Sequence, residues 1–173
     1  MEANDKMVMT KEKGFWVATA ILIATIAAML AVILHLVSIG FYVGPFRLSH
    51  WFVWIGTIYV AFAVPIIAVL KKRHPQRYKT LFRTHVFGNL LAFMLISLHF
   101  ASQISRPATS YPELGTGLAL YIAMILLVGT GFLQRFQLIP SIKSQSYRFI
   151  HVGSAVAFYL IIIVHILHGL AIL

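Results

Sequence analysis

An all-α membrane protein with five transmembrane helices is the fold class the sequence predicts, and three observations predict it. Of its 173 residues, 60% are hydrophobic and only 10% charged, where a soluble domain carries about 45–50% and about 25%. The apolar residues fall into five runs, each long enough to span a hydrocarbon core that takes roughly 20 helical residues to cross. The basic residues behind the net charge of +10 sit in the short gaps between those runs, as they do in membrane proteins. Disorder is excluded, since it needs few apolar residues and much charge. Period-two alternation is absent, which argues against a membrane β-barrel.

In chain order, the spans are expected at Phe15–Ile39, Leu48–Leu70, Leu81–Ile104, Leu114–Leu133 and Tyr147–Leu173. Met1–Gly14 mixes acidic and basic residues and reads as a polar tail. The run after it is too long for a signal-peptide core and reads as a retained span. The connections Gly40–Arg47, Lys71–Thr80, Ala101–Glu113 and Gln134–Ser146 are too short for a folded soluble domain. Gly44-Pro45, His74-Pro75, Arg106-Pro107 and Tyr111-Pro112 punctuate them as turns. Residues 1–173 are thus read as a single transmembrane domain.

Charge sets the expected orientation. Alternating spans put Lys6, Lys11, Lys13, Lys71, Lys72, Arg73, Arg77, Lys79, Arg83, Arg135, Lys143 and Arg148 on one side, and only Arg47 and Arg106 on the other. That split predicts the N-terminus inside and the C-terminus outside a plasma (inner) membrane. Trp16 suits the inner interface; Tyr42, Trp51 and Trp54 suit the outer one. The Lys71–Arg73 cluster reads as a contact for anionic lipid. Nothing in this layout calls for nucleic acid.

With no cysteine in the chain, disulfides, Cys-ligated zinc, iron–sulfur clusters and c-type haem attachment are excluded. The chemistry rests on histidine. Span three carries His85 and His99, span five carries His151 and His165, and both pairs are 14 residues apart. Fourteen helical residues bring two side chains within about 40° of one stripe and separate them by about 21 Å. Arg83 precedes His85 and Arg148 precedes His151, so the two helices are expected to share a depth. This places His85 with His151 near the inner face and His99 with His165 near the outer face. A zinc ion wants three or four protein ligands, and no acidic residue lies in any span to complete a shell. A haem wants two axial ligands, and histidine is one of its common ones. Two stacked bis-histidine haems are the expected cofactors.

The paired His85-x13-His99 and His151-x13-His165, on helices separated by one span, resemble the di-haem core of transmembrane cytochromes b and of ferric-reductase-like transmembrane proteins. The resemblance covers Leu48–Leu173. It implies that helices 2–5 form a four-helix bundle holding two non-covalent haem b groups, with Phe15–Ile39 as an extra first span. It implies electron transfer across the membrane between a quinone pool or a cytoplasmic flavoprotein and a partner at the other face. The chain would then be an electron carrier or an oxidoreductase subunit of quinol- or ferric-reductase type, with a redox partner protein and self-association both open.

Other residues carry two readings each. Gly88 and Gly153 follow their histidines and would let a macrocycle approach the backbone or let helices pack closely; Gly129 and Gly131 invite the same pair. Arg83 and Arg148 would pair with haem propionates or set topology, as would Arg47 and Arg106. Ser97, Ser154, Thr84 and backbone carbonyls are the expected partners for the second imidazole nitrogen. His168 falls off the stripe. His35 and His50 are expected near the outer face, bordering a quinone or proton site or simply interfacial, and His74 is expected in a solvated connection. Two rival functions use the same residues. One is a proton or metal-ion transporter built on the histidine ladder. The other is a cofactor-free membrane anchor.

Overall fold

The computed structural model of the chain describes residues 2–107, 109 and 115–169. It is mostly helical, with helices α1 (Glu2–Ile33), α2 (Leu48–Ile58), α3 (Val64–Arg73), α4 (Tyr78–Ile104), α5 (Gly115–Phe136) and α6 (Ser144–Gly169). Five stretches are long and apolar enough to cross a membrane: Glu12–Ile33, Leu48–Arg73, Pro75–Ile104, Gly115–Phe136 and Ser144–Gly169. Together they indicate a multi-pass membrane protein. The expected Tyr111-Pro112 turn, the Leu114 start of span four and the last residues of span five, Leu170–Leu173, lie outside the described residues.

The chain forms two compact units, Met1–Ser105 and Arg106–Leu173. In the first, α4 packs against α1 and against α2. Among the described side chains of α1, Ala18, Thr25 and Val32 are buried, a seven-residue spacing that makes one narrow seam. Thr25 satisfies its own hydroxyl by donating to the Ile21 carbonyl at 2.8 Å. The α2–α4 contact closes at Gly56, where a Cβ would stand 3.0 Å from the Ala92 carbonyl oxygen, so a small residue is what brings those backbones together. In the second unit α5 and α6 form a helical hairpin, with Tyr121, Ala123 and Met124 buried on α5 and Phe158 and Ile162 buried on α6. Large apolar side chains stay exposed all along the spans, as at Ile23, Ile58, Phe149 and Leu160, which is the surface a lipid solvent covers.

The first span departs from expectation at both ends. Its helix begins at Glu2 rather than near Phe15, and it stops at Ile33 rather than Ile39. The stop is a Schellman motif. The Leu36 amide donates to the Ala31 carbonyl at 2.8 Å and the His35 amide to the Val32 carbonyl at 3.1 Å. His35 sits in the left-handed region with φ 57°. It ends a helix, and its side chain is exposed.

The second span is one apolar stretch in three parts, with a π-helical segment Tyr59–Ala63 between α2 and α3. Pro65 lies two residues past that segment. Proline has no amide hydrogen and crowds the carbonyl four residues back. Widening the turn absorbs both effects, and the Val64 amide bonds the Tyr59 carbonyl in the five-residue pattern of a π turn.

Between the first two spans, Tyr42–Val43 pairs antiparallel with Phe46–Arg47 around Gly44-Pro45, with Gly44 at φ 63°. The Trp51 indole nitrogen donates to the Val43 carbonyl at 2.8 Å, which ties the hairpin to the start of α2.

Because His35 holds a backbone conformation that costs an L residue roughly 1–2 kcal/mol, His35→Gly is expected to stabilise the detergent-solubilised protein. The gain should be up to about 1 kcal/mol after the glycine entropy cost, read as a rise in the midpoint of denaturant unfolding.

Candidate functional site: four histidines with engaged Nδ1 atoms

All four predicted ligands lie on helices. His85 and His99 belong to α4, in the first unit, and His151 and His165 belong to α6, in the second. All four are partly buried. An imidazole in a span must satisfy both ring nitrogens without water, and each of the four has its Nδ1 engaged inside its own unit.

His99 Nδ1 lies 3.1 Å from the backbone carbonyl of Ser49 at the start of α2. A carbonyl only accepts, so Nδ1 carries the proton there and Nε2 keeps its lone pair. His151 Nδ1 lies 3.1 Å from Thr130 Oγ1 on α5, and His165 Nδ1 lies 3.0 Å from Thr116 Oγ1 on the same helix. His85 Nδ1 faces the Asn89 amide nitrogen at 3.3 Å, one turn along α4. With that amide nitrogen donating, the His85 proton sits on Nε2. Turning the amide over presents its oxygen and moves the proton to Nδ1.

The sequence expectation of backbone carbonyls is met at His99. Thr84, expected as a partner, instead donates its hydroxyl to the Thr80 carbonyl at 3.1 Å. Asn89, Thr116 and Thr130 were missed. A signal for the last two was present: span four contains Gly115-Thr116-Gly117 and Gly129-Thr130-Gly131, repeated at the same 14-residue interval as the histidines.

Of the glycines singled out, Gly131 lies against an imidazole, and Gly117, which was not singled out, does the same. A Cβ on Gly117 would stand 3.3 Å from His165 Cε1, and one on Gly131 would stand 3.3 Å from His151 Cε1. These two glycines let an imidazole lie against the α5 backbone. Gly88 faces the phenol of Tyr59, which occupies the space a Cβ would take; the Tyr59 hydroxyl donates to the Thr84 carbonyl at 2.6 Å. Of its two readings, the structure therefore gives Gly88 the close-packing role. Gly153 has nothing within 4 Å of a Cβ position among the described residues. Arg83 and Arg148 are exposed, two and three residues before His85 and His151 on the same helices.

His50 is drawn into the site beyond its expected interfacial placement. Its ring stands edge-on to that of His99, with centroids 5.3 Å apart. Among the described residues no group of three or more His, Asp or Glu side chains gathers in a geometry able to hold a metal ion by itself. No known family model, curated protein or solved structure matches the chain.

Gly88→Ala is expected to drive the Tyr59 ring off α4 and to destabilise the first unit by roughly 1–3 kcal/mol, the usual cost of overpacking. Combining it with Tyr59→Ala should cost less than the two single changes added together. Denaturation midpoints of the four proteins measure this; strict additivity would show that the two residues do not meet.

Proposed function

We propose that the chain is a b-type membrane cytochrome, a carrier that moves electrons across the membrane through two bis-histidine haems. The observation that carries the reading is the four imidazoles themselves. They form two pairs at one helical interval, on two different spans, each ring anchored through Nδ1 by a neighbour. A structural histidine needs only a bond to another helix. A ligand histidine needs one nitrogen fixed so that the other can bind metal, and the carbonyl at His99 imposes that state outright.

The residues fit the group on donor chemistry. His99 and His151 present Nε2 as the ligating nitrogen. His165 matches His151 in its threonine partner. His85 joins them with the Asn89 amide turned to present its oxygen. His85 and His151 would serve the iron nearer the N-terminal face, and His99 and His165 the iron nearer the other, by the matched spacing and the flanking Arg83 and Arg148. Bound haem b supplies a one-electron carrier at each level. The exposed apolar surface keeps the sites in hydrocarbon, where axial ligation and exclusion of water set potentials. A quinone, a flavoprotein or a partner subunit would exchange the electrons at either face. The excess of lysine and arginine on one side supports a cytoplasmic N-terminus in the plasma (inner) membrane.

The expected result for protein purified from haem-sufficient cells is a dithionite-reducible spectrum with about two pyridine hemochromes per chain. His85→Ala and His151→Ala should each remove the same haem, and His99→Ala and His165→Ala the other. Loss of one shared haem from His85→Ala and His99→Ala would overturn the pairing. A colourless wild-type protein would favour the transporter or anchor. Orientation has its own check, since the chain has no native cysteine. A lone cysteine at Lys72 should react with impermeant maleimide only after the membrane is opened, and one at Arg47 should react in intact cells.

A further inference from the structure

We infer that the two Gly-Thr-Gly segments of α5 are clamps that hold the proton of the α6 imidazoles on Nδ1, with Thr130 setting His151 and Thr116 acting on His165. The consequence for iron binding rests on the haem reading above; the proton placement does not.

The hydroxyl of Thr130 decides its own direction. Oγ1 lies 2.6 Å from the Leu126 carbonyl and 3.2 Å from the Leu127 carbonyl. Both are acceptors only, so the single hydroxyl hydrogen is directed back into the helix. The oxygen keeps lone pairs, and toward His151 Nδ1 at 3.1 Å it can only accept. The proton must therefore sit on Nδ1, which leaves Nε2 with the lone pair a metal needs. A threonine that bonds its own helix in this way is a fixed acceptor rather than a rotor.

The flanking glycine completes the clamp. A Cβ on Gly131 would stand 3.3 Å from His151 Cε1, the carbon between the two ring nitrogens, so any side chain there would shift the ring out of its seat. The threonine contact and the glycine recur one repeat earlier, with Thr116 Oγ1 at 3.0 Å from His165 Nδ1 and a Cβ on Gly117 at 3.3 Å from His165 Cε1. Because α5 and α6 form a hairpin, fourteen residues back along α5 meets fourteen forward along α6. One packing register thus seats both imidazoles. Thr116 and Thr130 are positioning residues, acting on a metal through the rings they hold.

The test labels histidine with 15N and compares wild type with Thr130→Val, which keeps the branched shape and loses the acceptor. In the haem-free protein the His151 Nδ1 is expected to carry the proton in wild type and to lose that preference in the valine variant. Thr130→Ser should restore it. In the haem-loaded protein, Thr130→Val is expected to shift the midpoint potential of one haem and to weaken its retention by roughly tenfold or more, leaving the other haem unchanged; Thr116→Val should do the reverse. Thr130→Ala replaces the valine variant if valine prevents folding. An unchanged His151 nitrogen spectrum in folded Thr130→Val or Thr130→Ala overturns the clamp. A wild-type chain that binds no haem, with the proton still redistributed in Thr130→Val, upholds the clamp and overturns the haem reading.

Discussion

Hydrocarbon offers no hydrogen bonds, and that constraint bears most heavily on the histidines of this protein. A soluble protein could leave one nitrogen of an imidazole to water. In a transmembrane span that nitrogen must find a partner in the chain. The engaged Nδ1 atoms of His85, His99, His151 and His165 are the outcome, and so is the Thr25 hydroxyl turned back onto the Ile21 carbonyl. For the histidines the requirement has a chemical by-product. Fixing one nitrogen settles the protonation of the other.

The two units meet that requirement by different means. In the first, His99 bonds a backbone carbonyl at the start of α2 and His85 an amide on its own helix. In the second, α5 supplies hydroxyls from two copies of one tripeptide. A carbonyl and the self-bonded Thr130 hydroxyl are acceptors toward the ring, while an amide side chain can turn over. His151 is therefore held rigidly in its unit, and His85 adjustably in its own.

Small residues decide how closely these helices pack. Gly56 admits the α4 backbone, Gly88 admits the Tyr59 ring, and Gly117 and Gly131 admit imidazoles. Gly88 shows how a sequence position can mislead. It stands three residues after a histidine, so a cofactor-facing role was a reasonable expectation from sequence. The phenol that fills its space comes from the π-helical turn before Pro65, 29 residues earlier. Helical periodicity describes one helix at a time, so it could not have predicted the meeting of two.

The sequence alone determined the number of spans, their approximate limits and the two histidine stripes. Those follow from transfer free energy and from the fixed 100° step of a helix, both local properties. It also held the Gly-Thr-Gly repeat, whose meaning depended on which helix lay beside it. Only the tertiary structure decided the partners of the imidazoles, the left-handed stop at His35, the occupant of the space at Gly88 and the approach of His50 to His99. Each of these depends on contacts between residues far apart in the chain or on how a helix end closes its last carbonyls. Hydropathy and spacing record neither, because they describe one helix at a time.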